Sequence, residues 1–384
     1  MKILYMITTL GHGRGGHFHD LRVTANSISN QQDVIIIEVG LKQSPIINSM
    51  NLKIYNLYFN GINFLIVLNR IFKILIKERP TVIHCFDTQS FSFARIAGFL
   101  KKIPIVLSKC GGPNPSFYPY TNNLIVMSKE NFDFFKDYDK FKKSKIHYIP
   151  NRSLVVKNDF NAINEIKKIA GSSKIFLHIS RITEYYENSI NQSINLIKDI
   201  RFEKDVKLFI VGIVESSNTL NRLMKISNNS IIFLTDDLFT ENSAKVISVA
   251  DFVIATGRGV MEAASKSKIL LTPLKGAKYP VLIKDSNFEY LYNTNFSPRN
   301  YLNNNSEEKN LSDIIKVMDS TFEKNKLKNF IDKIYLEKFD INEVLDSYYK
   351  IYNEAILDNR IRFFNFMRNM ISTIKTVLFK RYSI

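Results

Sequence analysis

The segment Val249–Ser265 has the residue types and spacing best suited to chemistry. An apolar run that predicts a buried strand leads into Gly257-Arg258-Gly259, and a helix is predicted to follow. A strand, a glycine turn and a helix N-terminus can bind an anion, because free backbone N–H groups and the helix dipole point into the turn. Arg258 adds positive charge, and Glu262 could accept hydrogen bonds from a ribose or sugar hydroxyl. This pattern is typical of a nucleotide-sugar site; alternatively, the glycines only form a turn and Glu262 only complements the helix dipole.

Length and composition favour a folded chain of two domains. The 384 residues can bury two separate cores, and 45% hydrophobic residues with 29 Phe exclude a disordered protein. Cys85 and Cys110 show neither metal-ligand spacing nor a disulfide framework, which favours a reducing compartment. The apolar start, Met1–Ile7, has no signal-peptide cleavage site, and no apolar run approaches the ~20 residues that span a bilayer. We therefore expect a cytoplasmic protein.

Short strands alternate with helical patterns in two series along the chain. The first series predicts a Rossmann-like domain over residues 1–151, and the second predicts another over 171–340. A polar, weakly periodic stretch separates them, and residues 341–384 are predicted to form C-terminal helices. Alternation of this kind predicts an α/β fold with two doubly wound parallel sheets. We expect the ligand in a central cleft between the domains, at the carboxyl ends of the strands.

A glycine-rich loop, Thr8–His17, follows the first predicted strand. Gly15 and Gly16 open the first helix, so the backbone could approach a diphosphate closely. A glycine loop alone is weak evidence for a nucleotide site. The three histidines at positions 12, 17 and 19 lack a convincing set of further ligands, so we expect neither a metal nor another cofactor.

The order of these motifs resembles the GT-B glycosyltransferases, and most closely the retaining group known as glycosyltransferase family 4. The resemblance covers roughly Lys2–Pro280. The matching segments are Gly15-Gly16, Val82–Asp87, Leu124–Ser128, Ile146–Asn151, Arg181, Ala250-Asp251 and Glu262-Ala263. The resemblance implies that Arg181 contacts the donor diphosphate and that Glu262 binds the donor ribose, with His84 and Glu262 as catalytic residues. With the glycine turn, the expected donor-binding set is Gly15, Gly16, Arg181, Gly212, Gly257, Arg258, Gly259 and Glu262.

The chain departs from the family pattern at two charged positions. The family usually has a lysine shortly after the arginine, where this chain has Tyr185-Tyr186-Glu187. The first glutamate of the family's signature is missing from the short loop before Glu262. Arg258 could replace the charge of the missing lysine, although arginine and lysine are not equivalent.

The C-terminal segment 359–384 is basic and apolar. It carries six positive side chains and no acidic one, within a chain of net charge +17. A basic, Phe-rich helix can lie in the interface of an anionic membrane; alternatively, it packs back across the N-terminal domain. The expected membrane-binding residues are Arg360, Arg362, Phe363, Phe364, Arg368, Lys375, Lys380 and Arg381. Residues 63–77 predict a second basic, apolar helix that could dock beside it.

Together these features predict a retaining glycosyltransferase at the inner face of the cell membrane. We expect it to move a sugar from a nucleotide-sugar donor to a lipid-linked saccharide in bacterial surface polysaccharide synthesis, such as O-antigen or capsule. A sugar-nucleotide epimerase of the same architecture is one alternative, and an inactive homologue serving as a scaffold in a glycosyltransferase complex is another. Nucleic-acid binding would explain the charge, but no recognisable module supports it.

Overall fold

The chain forms two compact units in a computed structural model that describes residues 1–201, 204–302, 306–358 and 366–367. The first unit comprises Met1–Pro150 and the chain from Ile341 onward, and the second comprises Asn151–Asp340. Each unit has its own sheet and its own apolar core.

The first unit is built on seven parallel strands. The strands are β1 (Lys2–Thr9), β2 (Asp33–Gly40), β3 (Lys53–Tyr58), β4 (Val82–Cys85), β5 (Ile105–Lys109), β6 (Asn123–Val126) and β7 (Lys145–Tyr148). The helices are α1 (Gly16–Ile28), α2 (Pro45–Asn48), α3 (Phe64–Glu78), α4 (Thr88–Lys101), α5 (Lys129–Asp137) and, after the second unit, α14 (Leu345–Leu357). The strand order β3-β2-β1-β4-β5-β6-β7 is that of a doubly wound Rossmann-like sheet.

Burial on both faces explains the near-continuous apolar sequence of β1. Successive side chains of a strand point to opposite faces. Accordingly, Ile3, Tyr5 and Ile7 enter one apolar cluster, whereas Leu4 and Met6 enter the other. All five side chains are fully buried. Polar side chains are therefore displaced towards the strand ends.

The second unit repeats this plan with six strands. The strands are β8 (Lys174–Ile179), β9 (Val206–Val211), β10 (Ile231–Leu234), β11 (Phe252–Ile254), β12 (Ile269–Thr272) and β13 (Val281–Leu282). The helices are α6 (Phe160–Ala170), α7 (Glu184–Ile200), α8 (Ser217–Lys225), α9 (Asp237–Thr240), α10 (Arg258–Ala264), α11 (Asp285–Asn293), α12 (Glu307–Asp319) and α13 (Thr321–Ile334). The order is β10-β9-β8-β11-β12-β13, and β13 is antiparallel to β12.

The α/β fold with two Rossmann-like sheets is confirmed, but helix α6 and strand β13 are among the elements that lie where the sequence predicted none. Helix α6 occupies the stretch interpreted as polar and weakly periodic. Asp159 caps it by accepting hydrogen bonds from the Asn161 and Ala162 amides, and its buried face is short. Strand β13 has only two residues, too few for a periodic pattern.

Helix α14 packs on the first sheet through a buried polar network. The hydroxyl of Tyr352 lies 2.8 Å from His84 Nδ1 and 3.1 Å from the Tyr5 hydroxyl. His84 Nε2 lies 2.8 Å from Ser108 Oγ, so both ring nitrogens have partners. A satisfied network of this kind fixes one position of the helix on the sheet.

Removing the Tyr352 hydroxyl should weaken this attachment. Tyr352→Phe leaves His84 and Tyr5 without that partner, and such a loss costs about 1–3 kcal/mol. We expect the free energy of unfolding, measured by urea titration, to fall by about this amount. Tyr349→Phe is the matched control, because Tyr349 lies on the same helix and its buried hydroxyl has no hydrogen-bond partner among the described residues. Equal stability of the two variants would contradict the role assigned to the network.

Candidate functional site

The expected donor-binding residues of the second unit gather at one edge of its sheet. Arg181 follows β8, Gly212 follows β9, and Gly257 follows β11. These strands are neighbours and parallel, in the order β9-β8-β11, so their carboxyl ends lie side by side. Ligands of doubly wound sheets bind at this edge.

Gly212 allows two of these loops to touch. A Cβ atom added at position 212 would lie 1.7 Å from the carbonyl oxygen of Ser180, an impossible contact. The Ile182 amide also donates a hydrogen bond to the Ile213 carbonyl, at 2.9 Å. The glycine is therefore required by the packing of the loop after β8 against the loop after β9, whether or not a ligand is bound.

Arg181 is held at this edge by an acidic and an aromatic neighbour. Its Nη1 lies 3.2 Å from Glu215 Oε1, and its guanidinium lies 5.7 Å from the centre of the Tyr186 ring. Half of the Arg181 side chain is exposed. The pKa of Arg181 is raised; burial opposes this shift, and the charge of Glu215 drives it. Arg181 thus stays cationic and accessible to an anion.

The glycine turn after β11 adopts a backbone conformation that favours glycine. Gly257 has φ +51° and ψ −124°, and α10 begins at the next residue. The amides of Gly259 and Val260 donate to Thr256 O and Gly257 O, so they are used within the turn. A Cβ at position 259 would also lie 2.9 Å from Ala255 Cβ. The anion site expected from backbone amides is therefore smaller than the sequence pattern suggested.

Arg258 and Glu262 form an ion pair one helical turn apart. Arg258 Nε lies 2.7 Å from Glu262 Oε1, and only 10% and 11% of the two side chains are exposed. Arg258 Nη1 also donates to the Arg152 carbonyl, at 3.3 Å. The pair fixes the Glu262 carboxylate and offsets the Arg258 charge, so Arg258 positions Glu262 more directly than it attracts an anion.

The first turn of α7 differs from the family pattern in charge. Glu184 and Glu187 lie in this turn, and Glu187 accepts two hydrogen bonds from Arg222. Tyr185 and Tyr186 pack edge to face, with ring centres 4.8 Å apart. With tyrosines in the family's lysine region and acids beside them, this turn supplies no cation to a diphosphate.

Gln192 was missed by the sequence analysis, although it organises the loop after β12. Its amide nitrogen donates to the Leu274 carbonyl at 2.5 Å, and its amide oxygen accepts from the Leu274 amide at 3.1 Å. The side chain is 2% exposed. A glutamine on the apolar face of a predicted helix is the signal that could have revealed it.

In the first unit, the glycine-rich loop is supported by a buried carboxylate that was also missed. Gly15 is the N-cap of α1 and Gly16 its first residue, with no side-chain cap and no acid in the first turn. Glu38 accepts hydrogen bonds from Thr9 Oγ1 and from the Ser44 amide. Ser44 Oγ in turn donates to the carbonyl of Gly13, at 2.5 Å. Burial raises the pKa of Glu38.

His84 lies inside the first unit, away from solvent. Its exposed fraction is zero, and burial lowers its pKa to about 3. The ring is neutral at pH 7 and joins Tyr352 to Ser108. This placement favours a structural role, and the catalytic role implied by the family resemblance stays a prediction.

The expected membrane-binding residues, Arg360, Arg362, Phe363, Phe364, Arg368, Lys375, Lys380 and Arg381, lie outside the described residues. Among the residues that the structure describes, no helix is both long enough and apolar enough to cross a membrane. Within the same ranges, no three His, Cys, Asp or Glu side chains are placed to hold a metal ion together.

Comparison with solved structures identifies the architecture. A glycosyltransferase from Rickettsia africae has a TM-score of 0.67 at 16% identity, covering 93% of this chain and 99% of that chain. Anabaena HepE in complex with UDP and glucose has a TM-score of 0.67 at 13% identity, covering 91% and 99%. A putative UDP-N-acetylglucosamine 2-epimerase from Listeria monocytogenes has a TM-score of 0.56 at 11% identity, covering 91% and 97%.

The fold is GT-B. Its two Rossmann-like units correspond to the two sheets described above. No protein-family model and no curated protein sequence matches the chain. Identities of this size establish the GT-B fold alone.

The neutral state of His84 predicts a pH dependence of stability. Its folded pKa of about 3 lies below the ordinary 6.5, so the unfolded chain takes up the proton first as the pH falls. The neutral His84 ring contributes fully to the free energy of unfolding above pH 6.5. This contribution is lost between pH 6.5 and 3, by roughly 1.4 kcal/mol per pH unit. Urea unfolding at pH 7.5, 6.5 and 5.5 should show a flatter pH dependence for His84→Gln than for the wild type. The exposed His12→Gln variant should retain the wild-type slope, and a wild-type slope in His84→Gln would contradict the buried neutral ring.

Proposed function

We propose that this chain is a retaining glycosyltransferase with a nucleotide-sugar donor. The carboxyl edge of the second sheet carries the proposal, because it combines the accessible cation Arg181 with the fixed carboxylate of Glu262. The likeness to Anabaena HepE, solved with UDP and with UDP-glucose, supports a UDP-sugar as the first donor to test.

The proposed reaction depends more on electrostatic stabilisation of the departing diphosphate than on a nucleophilic side chain. As the bond between the anomeric carbon and the diphosphate breaks, negative charge grows on the departing diphosphate. Cations aimed at that charge lower the barrier, because the charge is larger in the transition state than in the substrate. Arg181 would face the diphosphate, and Glu262 would accept hydrogen bonds from the ribose. No metal is required in this scheme.

Two other functions remain in competition. The likeness to the Listeria protein favours a sugar-nucleotide epimerase, although its TM-score of 0.56 is lower than the 0.67 of the Rickettsia glycosyltransferase. The tyrosines at the family's lysine region favour an inactive scaffold. Product analysis separates the three, since only a transferase makes a new glycosidic bond and only an epimerase inverts a sugar carbon other than the anomeric one.

Substitutions of the two charged residues test the donor site. Glu262→Gln keeps shape and removes charge, and Arg181→Ala removes a diphosphate contact. Each should lower turnover about 10²-fold or more, because each removes an electrostatic contact from the reacting complex. The exposed carboxylate of Glu165 provides a matched control as Glu165→Gln. Wild-type kinetics in both site variants, with UDP-sugars as donors, would refute this assignment.

We further propose a lipid-linked saccharide acceptor and attachment to the cytoplasmic face of an anionic membrane. Helix α3 and the residue before its cap expose an apolar set, with exposed fractions of 91% for Ile62, 76% for Leu65 and 57% for Ile66. Arg70 and Lys73 are exposed on the same helix. Basic side chains near such a surface contribute about 1 kcal/mol each, and the apolar ones add to it.

The described part of the C-terminal segment packs on helix α4. The Phe366 ring stacks on Phe99 of α4, with centres 4.2 Å apart. Helix α4 packs next to α3. Phe366 therefore packs on the helix next to α3. Surface-polysaccharide synthesis is the pathway class that combines such an acceptor with such a membrane.

Vesicle flotation tests the membrane proposal. The full chain should float with anionic vesicles at low salt and be released at high salt, because exposed charges are screened over about 8–10 Å at ordinary ionic strength. Arg70→Glu/Lys73→Glu and deletion of residues 359–384 should each weaken flotation. Lys167→Glu/Lys225→Glu, which reverses two exposed lysines of the second unit, is the charge-matched control. A full-length protein that stays with the soluble fraction at low salt would refute membrane binding.

A further inference from the structure

A cavity lies in the second unit between α7 and the loops that follow β12 and α11. Its volume is about 430 Å³, within the range of small-molecule sites. The residues that line it are Tyr185, Asn188, Ser189, Gln192, Lys275, Pro298 and Arg299. None of the residues expected from the sequence to bind the donor is among them.

The lining of this cavity is cationic. Lys275 and Arg299 each bring a positive charge, and no lining residue is acidic. Lys275 is exposed, and Arg299 is partly buried. An anion in the cavity would be attracted by both charges.

The wall of the cavity is firmly held. The Lys275 amide donates to the Asn300 carbonyl at 2.7 Å, which joins the two loops that carry the cations. Gln192 fixes Leu274, the residue before Lys275, through both atoms of its amide. Pairing and clamping of this kind preorganise a site and reduce the cost of ordering it on binding.

The cavity also adjoins the residues already placed at the carboxyl edge. Tyr185 touches Tyr186, whose ring lies 5.7 Å from the Arg181 guanidinium. The loop that carries Arg299 includes Asn295, whose Nδ2 would lie 3.5 Å from a Cβ at Gly257. Contacts therefore connect the cavity both to the loop after β8 and to the turn after β11.

We infer that Lys275 and Arg299 bind a diphosphate anion in this cavity. The inference deepens the proposed function and rests on it for the identity of the nucleotide. It also accounts for the first turn of α7, where acids and tyrosines stand in the family's lysine region. In this chain Lys275, in the loop after β12, supplies the diphosphate with a cation in addition to Arg181. The exposed ring of Tyr185 offers a face for the group attached to the diphosphate.

Isothermal titration of the full chain with UDP, uridine and inorganic pyrophosphate tests this inference. UDP and pyrophosphate should bind, and uridine should bind much more weakly because it lacks the diphosphate. Lys275→Ala should weaken both anions about tenfold, and Lys275→Ala/Arg299→Ala about 100-fold, since a hydrogen bond to a charged group contributes about one decade of affinity or more. Lys225→Ala is the matched control: Lys225 ends α8, which puts it at the opposite edge of the sheet.

The outcomes separate this site from the proposed function. Wild-type affinity for UDP and pyrophosphate in Lys275→Ala would overturn the cavity as the diphosphate site, whereas the glycosyltransferase proposal would stand. Binding of pyrophosphate through Lys275 and Arg299 without binding of UDP would support the anion site and overturn the UDP-sugar donor of the proposed function. Failure of the wild type to bind either UDP or pyrophosphate would overturn both the cavity site and the UDP-sugar donor. Lys275 is exposed, so thermal unfolding of Lys275→Ala should match the wild type. A change in its affinity would then not be due to loss of the fold.

Discussion

The burial of parallel strands on both faces is the constraint on which the rest of this structure depends. The middle of a strand such as β1, from Ile3 to Ile7, is apolar or aromatic because both faces of the strand enter a core. Polar side chains that meet solvent are thereby concentrated in the loops at the strand ends. In the second unit this arrangement brings Arg181, the Gly257 turn and the loop after β12 to one edge, although they are far apart in sequence.

The cost of placing charge near an apolar core explains why the residues at this edge are paired. Glu262 lies against the core and is accompanied by Arg258, whereas the more exposed Arg181 is balanced by Glu215. His84 shows the other solution, since it is buried as a neutral ring with hydrogen bonds at both nitrogens. The positions that carry charge are therefore those that remain within reach of solvent or of a partner.

Much of the fold could be predicted from the sequence, because buried parallel strands leave a strong local pattern. The apolar runs of β1 and β8 and the helical periods between strands required no tertiary information. The two-residue strand β13 could not be found this way, since it exists only through its pairing with β12. Helix α6 was missed because its buried face is short and its surroundings are polar.

The site was less predictable from the sequence, because most of its contacts join loops that are far apart along the chain. The pairing of Arg258 with Glu262 follows from a spacing of four residues on one helix, so it was within reach of the sequence. The hydrogen bonds of Gln192 to Leu274, and the placement of Lys275 and Arg299 around one cavity, depend on which loops the sheet order brings together. The role of Gly212 likewise depends on the distance to Ser180 in another loop. Contacts of this kind leave no local signal.

The return of the chain to the first unit has a consequence for biosynthesis. The second unit is continuous in sequence, whereas the first needs α14 to complete its core and to supply Tyr352 to His84. During synthesis, α14 is made only after the whole second unit, so the first unit cannot complete its core until then. At about 5–20 residues per second, that wait is on the order of ten seconds or longer. The apolar surface around Tyr5 stays uncovered during this time, so a chaperone can bind the nascent chain there.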